Sequence, residues 1–109
     1  MPRQRGDAGR WSDPGVLVLS SLAGGEKHGY AIVQDVQRIA GVHLGPGTLY
    51  GALARLEDQG LIEALLPEGR RRPYRITASG SRLLDEQLRT ISAVAATGLS
   101  RLDALGARP

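Results

Sequence analysis

Arg70, Arg71 and Arg72 stand side by side in "EGRRRPYR" at residues 68–75, where four arginines oppose the single acid Glu68 and leave a local charge of +3. Guanidinium groups at this density pair with phosphate oxygens or with carboxylates of an acidic surface. A second set of phosphate-seeking groups lies upstream in "GTLYGALARLEDQGLI" at 47–62. There the hydroxyls of Thr48 and Tyr50 and the long donor Arg55 are interleaved with Gly47 and Gly51, two residues that a helix normally avoids. Catalytic groupings are missing by contrast. Asp35, Glu57 and Asp58 have no identifiable base or nucleophile beside them, and no phosphate-cradling loop or hydrolase elbow is found. His28 and His43 are the only histidines and there is no cysteine, so no transition-metal site is expected. The sequence reads as a binding protein without a cofactor, not an enzyme.

A chain of 109 residues forms one domain at most, with a core small enough to gain from a partner subunit. Its net charge of +3 is unevenly spread. Residues 1–12 carry three Arg against one Asp, residues 13–67 carry one Lys and two Arg against six acids, and the remainder after residue 75 carries four Arg against three acids. Two basic patches therefore flank a mildly acidic body. Nucleic acid is one natural partner, and an acidic protein surface is another. A solvated arm and loop is the plain alternative for either patch alone. Lys27 is the single lysine, and the wealth of Gly, Ala and Arg points to coding bias, which weakens arguments from arginine content. No signal-like or membrane-length apolar run occurs, and a cytoplasmic protein that does not enter the membrane is expected.

Five elements must position these groups. Asp13-Pro14 starts a helix through "VLVLSSLA" that stops at Gly24-Gly25. A second runs from Gly29 to Ala40 with Ile32, Val36, Ile39 and Ala40 on one face, ended by Gly41. The third spans about Pro46 to Gln59 with Leu49, Leu53 and Leu56 buried and Gly60 as terminator. "LIEALL" and "RPYRIT" are strand-like runs joined by "PEGR"; Tyr74 and Ile76 alternate with Pro73 and Arg75, one pair inward and one outward. Thr77 then caps a long helix reaching towards Gly106. The layout predicts an α+β, mostly helical fold: a winged helix-turn-helix with a two-stranded wing and a long C-terminal dimerisation helix. Residues 1–12 form a basic, mobile arm, 13–77 the DNA-binding domain and 78–109 the dimerisation helix.

Projected at about 100° per residue, the third helix sets Gly47, Gly51, Ala54, Arg55 and Asp58 opposite its leucines, with Thr48 and Tyr50 on the flanks. A helix entering a major groove by its N-terminal end needs a slim leading surface, and its free N–H groups and dipole attract phosphate. Glu57 and Asp58 at the far end would repel DNA, so only the leading half can face it. Close helix packing against both glycines, with Tyr50 on the core, is the competing explanation.

"HGYAIVQDV" at 28–36, "GTLYGALARLEDQGLI" at 47–62 and "YRITASG" at 74–80, in this order, resemble the signature of the PadR family of winged-helix transcriptional regulators, over roughly residues 15–84. The resemblance implies a homodimer that binds inverted-repeat operators in double-stranded DNA and usually represses, often releasing DNA when a small molecule binds. It implies DNA contacts from Tyr30, Thr48 and Tyr50 and from the wing at Arg70, Arg71 and Arg72. It also places the chain with short members that have a single C-terminal helix. Some short members sandwich a flat effector between aromatic side chains of that helix. Here "SRLLDEQLRTISAVAATGLSRLDAL" has no aromatic residue, so a pocket of that kind is not expected unless Trp11 supplies the stacking surface, and Trp11 is expected simply to pack on the domain.

The last helix repeats Leu84, Leu88, Ile91, Ala95, Leu99, Leu102 and Leu105 over about six turns, more apolar surface than this domain can cover alone. Gly98 interrupts the stripe, as a close crossing or a bend would require. Leu84, Leu88, Ile91, Ala95, Leu99 and Leu102 are thus the expected dimer interface, and a helix folded back on its own domain is the alternative. For function, the expectation is a sequence-specific regulator, a repressor acting as a dimer. A winged-helix module binding an acidic protein, or a non-specific architectural DNA binder, would share most of these features.

Overall fold

The computed structural model describes residues 13–107; the basic arm 1–12 with Trp11, and residues 108–109, lie outside that range. Helix α1 (Pro14–Leu22) begins where Asp13 accepts from the Val16 N–H at 3.4 Å and Pro14 takes the first position. Leu17, Val18, Leu19, Ser21 and Leu22 are all buried, so this helix runs through the centre of the domain. Helices α2 (Gly29–Ala40), α3 (Pro46–Asp58) and α4 (Ala78–Gly106) pack around it. Gly41 and Gly60 hold the left-handed conformation that ends α2 and α3. Leu49, Leu53 and Leu56 are buried as the spacing predicts, and Ala52 joins them.

The α2 stripe is shorter than predicted. Ile32 and Val36 are fully buried, but Ile39 is 54% exposed and Ala40 is exposed, because α2 leaves the core after Val36. What fixes α2 on α1 is partly polar. The buried Ser21 hydroxyl donates to Asp35 Oδ2 at 2.7 Å, and Asp35 also pairs with Arg38. Lys27 Nζ donates to the carbonyls of Ser21 and Gly25 at 2.6 and 3.2 Å, placing its charge at the negative end of α1.

The wing also differs. Strands β2 (Ile62–Ala64) and β3 (Pro73–Ile76) form the expected antiparallel hairpin, but β1 (Lys27–His28) pairs on the other side of β3, giving a three-stranded sheet of order β1-β3-β2. The register sets His28 opposite Pro73 and Lys27 opposite Tyr74. Glu63 faces Arg75, whose Nη2 and Nε donate to Glu63 Oε2 at 2.8 and 3.0 Å. Pro73 is buried and Tyr74 and Ile76 pack on the core, so only Arg75 of this strand points outward.

Thr77 joins the end of α3 to the start of α4. Its hydroxyl donates to the Gly60 carbonyl at 2.7 Å and accepts from the Gly80 N–H at 3.1 Å. Leu84 sits in the core of its own domain, so it is not on the free face assigned to it, and the exposed stripe begins at Leu88. Ile91 is half-buried, while Val94, Leu99, Leu102 and Leu105 are exposed. At about 1.5 Å per residue the 29-residue α4 extends roughly 43 Å and carries this stripe past the domain.

Candidate nucleic-acid interface

The leading end of α3 is bare. Among the described residues a Cβ added at Gly47 would meet nothing within 4 Å, and one at Gly51 would meet only Arg55 Nη1 at 3.6 Å. Packing against other helices does not account for either glycine. Thr48, Ala54 and Arg55 are exposed and Tyr50 is 56% exposed, so the tyrosine does not lie in the core. Gly45 caps α3 without a side chain, which leaves the first N–H groups free for an acceptor.

Tyr50 points across to α2, where Gly29 makes room for it. A Cβ on Gly29 would stand 2.9 Å from the Tyr50 hydroxyl and 3.3 Å from Leu49 Cδ2. Tyr30, one residue on, is 64% exposed, and its hydroxyl accepts from Gln34 Nε2 at 3.3 Å, which leaves its own proton to donate. Between α2, α3 and the wing opens a cleft of about 260 Å³ lined by all three tyrosines of the chain, Tyr30, Tyr50 and Tyr74, by Arg70, Arg71 and Arg72, and by His28 and Gly29. The structure thus brings Tyr30 and Tyr50 to arginines that lie about 40 and 20 residues further along the chain.

The three arginines have different surroundings. Arg72 Nη1 donates to the Leu65 carbonyl at 2.9 Å and braces the hairpin. Arg71 Nη1 meets His28 Nε2 at 3.2 Å, and its backbone bridges to Glu68. Arg70 is exposed at the turn. Arg55 stands apart from this group, on the opposite flank of α3, where it lines a shallow cleft with Asp13, Gln59 and Gln87.

His28 and Tyr74 were not expected in the site. Strand alternation pairs Tyr74 with Ile76 without saying which pair faces inward; the ring packs on the core and also lines the cleft. Burial, and secondarily Glu57, push its phenol above the ordinary value of 10.0, with Arg72 opposing; the hydroxyl therefore keeps its proton at neutral pH. His28 belongs to a two-residue strand too short to show a pattern. Among the described residues no cluster of three or more His, Asp or Glu could hold a metal ion, and no helix is long and apolar enough to cross a membrane.

The sequence model of the transcriptional regulator PadR-like family matches residues 18–86. A 37.1 kDa protein in transposon TN4556 of Streptomyces fradiae is 45% identical over 83 residues, which cover 76% of this chain but 24% of that protein. The transcriptional regulator Rv3488 of Mycobacterium tuberculosis is 40% identical over 81 residues, covering 72% of this chain and 75% of the relative. Among solved structures, a transcriptional regulator from Clostridium thermocellum superposes with a TM-score of 0.73 at 28% identity, over 86% of this chain and 96% of that one.

Proposed function

Because this chain belongs to the PadR-like family of transcriptional regulators, we propose that it acts in the cytoplasm as a homodimeric repressor on an inverted-repeat operator. The observation that carries this reading is that the helix with the bare tip, α3, also supplies Tyr50 to the cleft of tyrosines and arginines. The tip fits the major groove, with Gly47 and Gly51 admitting the backbone closely and Thr48 beside them. Tyr30, Tyr50 and the wing arginines then hold flanking phosphates, while Arg55 reaches the backbone on the far flank. The exposed stripe from Leu88 to Leu105 pairs with a second copy and sets two such tips about one duplex turn, roughly 34 Å, apart. The protein needs no catalytic group for this role. An effector, where one exists, is not held by an aromatic sandwich on α4, whose sequence lacks aromatic residues.

Selection of bound sequences from a random duplex pool, followed by titration at several salt concentrations, tests the reading. A palindrome should be recovered, and log affinity should fall steeply with log salt. Replacing Arg70, Arg71 and Arg72 by Ala should flatten that slope by roughly 0.9 for each arginine that pairs with a phosphate in each subunit. Binding without salt dependence would favour a protein partner, and equal affinity for unrelated duplex would favour an architectural role.

Gly29→Ala probes the same surface from behind. Its new methyl group displaces the Tyr50 hydroxyl, a movable side-chain end, and presses lightly on the buried Leu49, so stability should fall by about 1 kcal/mol. Duplex affinity should nevertheless drop about tenfold, as it does when a charge-assisted hydrogen bond is removed. Unchanged affinity in the same titration would remove Tyr50 from the DNA contacts.

A further inference from the structure

The contact between His28 and Arg71 links the domain body to the wing. A guanidinium has donors only, so for the two side chains to bond at 3.2 Å His28 Nε2 must supply the lone pair, with the ring proton on Nδ1. His28 occupies the N-cap of α2, yet its side chain caps nothing. Its backbone is paired with Pro73 in the sheet that carries the wing. The ring is therefore anchored at its base and ends on the arginine. No carboxylate lines the cleft among the described residues. The groups facing it are Tyr30 from α2, Tyr50 from α3, Tyr74 from β3 and Arg70, Arg71 and Arg72 from the wing.

We infer that His28 is a positioning residue for the DNA site: by accepting from Arg71 it holds that guanidinium in the cleft beside Tyr30 and Tyr50, and the three together seat one backbone phosphodiester. This rests on the DNA-binding reading above. The chemistry explains why the holder is an imidazole. An Asp or Glu would order the arginine equally well, but it would cancel the charge and repel the phosphate. A neutral acceptor orders the side chain and leaves its full charge for the ligand. In the free protein so exposed a contact contributes little to folding. Its effect comes on binding, when an arginine already in place loses less rotamer freedom.

The probe is a mixed-sequence DNA duplex long enough for two half-sites, since phosphate contacts do not depend on sequence. Affinity is measured against salt for the full-length protein and for His28→Leu, His28→Gln, Arg71→Ala and the double variant His28→Leu/Arg71→Ala. His28→Leu should weaken binding by about fivefold per subunit. His28→Gln, whose amide oxygen can accept, should recover most of the loss. The double variant should bind no worse than Arg71→Ala alone. Thermal midpoints of the two His28 variants should match the parent, which separates positioning from a structural role. An additive double variant, or a His28→Leu protein with full affinity, would overturn the assignment while leaving the DNA reading intact. A parent protein without salt-dependent duplex binding would remove both.

Discussion

Leu99→Asp combined with Leu102→Asp is expected to yield monomers that bind operator on the order of 10²- to 10⁴-fold more weakly than the parent. Both leucines are 62% exposed in the isolated chain and lie on the helix face that also carries Leu88, Ile91, Ala95 and Leu105. Gly98 falls within that face, and a Cβ there would meet nothing within 4 Å among the described residues. A second helix can therefore approach closely at this point. Two carboxylates placed in such a seam must be stripped of water without partners, at a cost of several kcal/mol each. The stripe lies beyond Leu84, outside the domain's own core, so folding should survive the change. Sedimentation gives the mass and titration with operator gives the affinity. A dimer that persists in the double variant would place the interface on another surface, and monomers with unchanged affinity would remove dimerisation from DNA recognition.

Gly80→Ala should produce the largest loss of stability of any single methyl group added to this chain's described glycines. An ideal Cβ at this position lies 2.1 Å from the Leu61 carbonyl oxygen, 2.9 Å from Ile76 Cγ1 and 3.0 Å from the Leu61 carbonyl carbon. The oxygen cannot swing aside, because it already accepts from the Thr77 N–H at 3.0 Å. Backbone must move, and with it the junction of α3, β3 and α4. A loss of about 3 kcal/mol or more is expected, a large part of the 5–15 kcal/mol typical of a domain. Urea titration measures it. Gly47→Ala is the control, with open space around its Cβ and hence a midpoint equal to or above the parent's. Equal midpoints for all three proteins would mean that α4 can shift away from Leu61 at little cost.

These two glycines show what the sequence could and could not disclose. Gly47 was legible because helical projection alone puts it opposite the leucines. Gly80 is the last residue of "YRITASG", but its reason is a carbonyl 19 residues upstream, which no local pattern encodes. Caps were legible for the same local reason: Asp13 and Thr77 bond within three residues of themselves. Strand β1 was not, because two residues carry no alternation. Leu84 and Leu88 belong to one repeating stripe, and periodicity cannot say that the first meets its own domain while the second meets solvent. The row of arginines looked uniform, whereas the fold ties Arg72 to Leu65 and Arg71 to His28.

Thr77, Gly80 and Leu84 fasten α4 to the domain within its first two turns, Ile91 is the last residue of the helix that is partly covered, and every described residue beyond it is exposed. Such a rod amplifies angle into distance: a tilt of about 3° at the fastening carries the far end through roughly 2 Å. Conversely, whatever clasps the far end dictates the pitch of everything fastened at the near one. In a dimer joined through this helix, as proposed above, that leverage would set the separation of the two α3 tips.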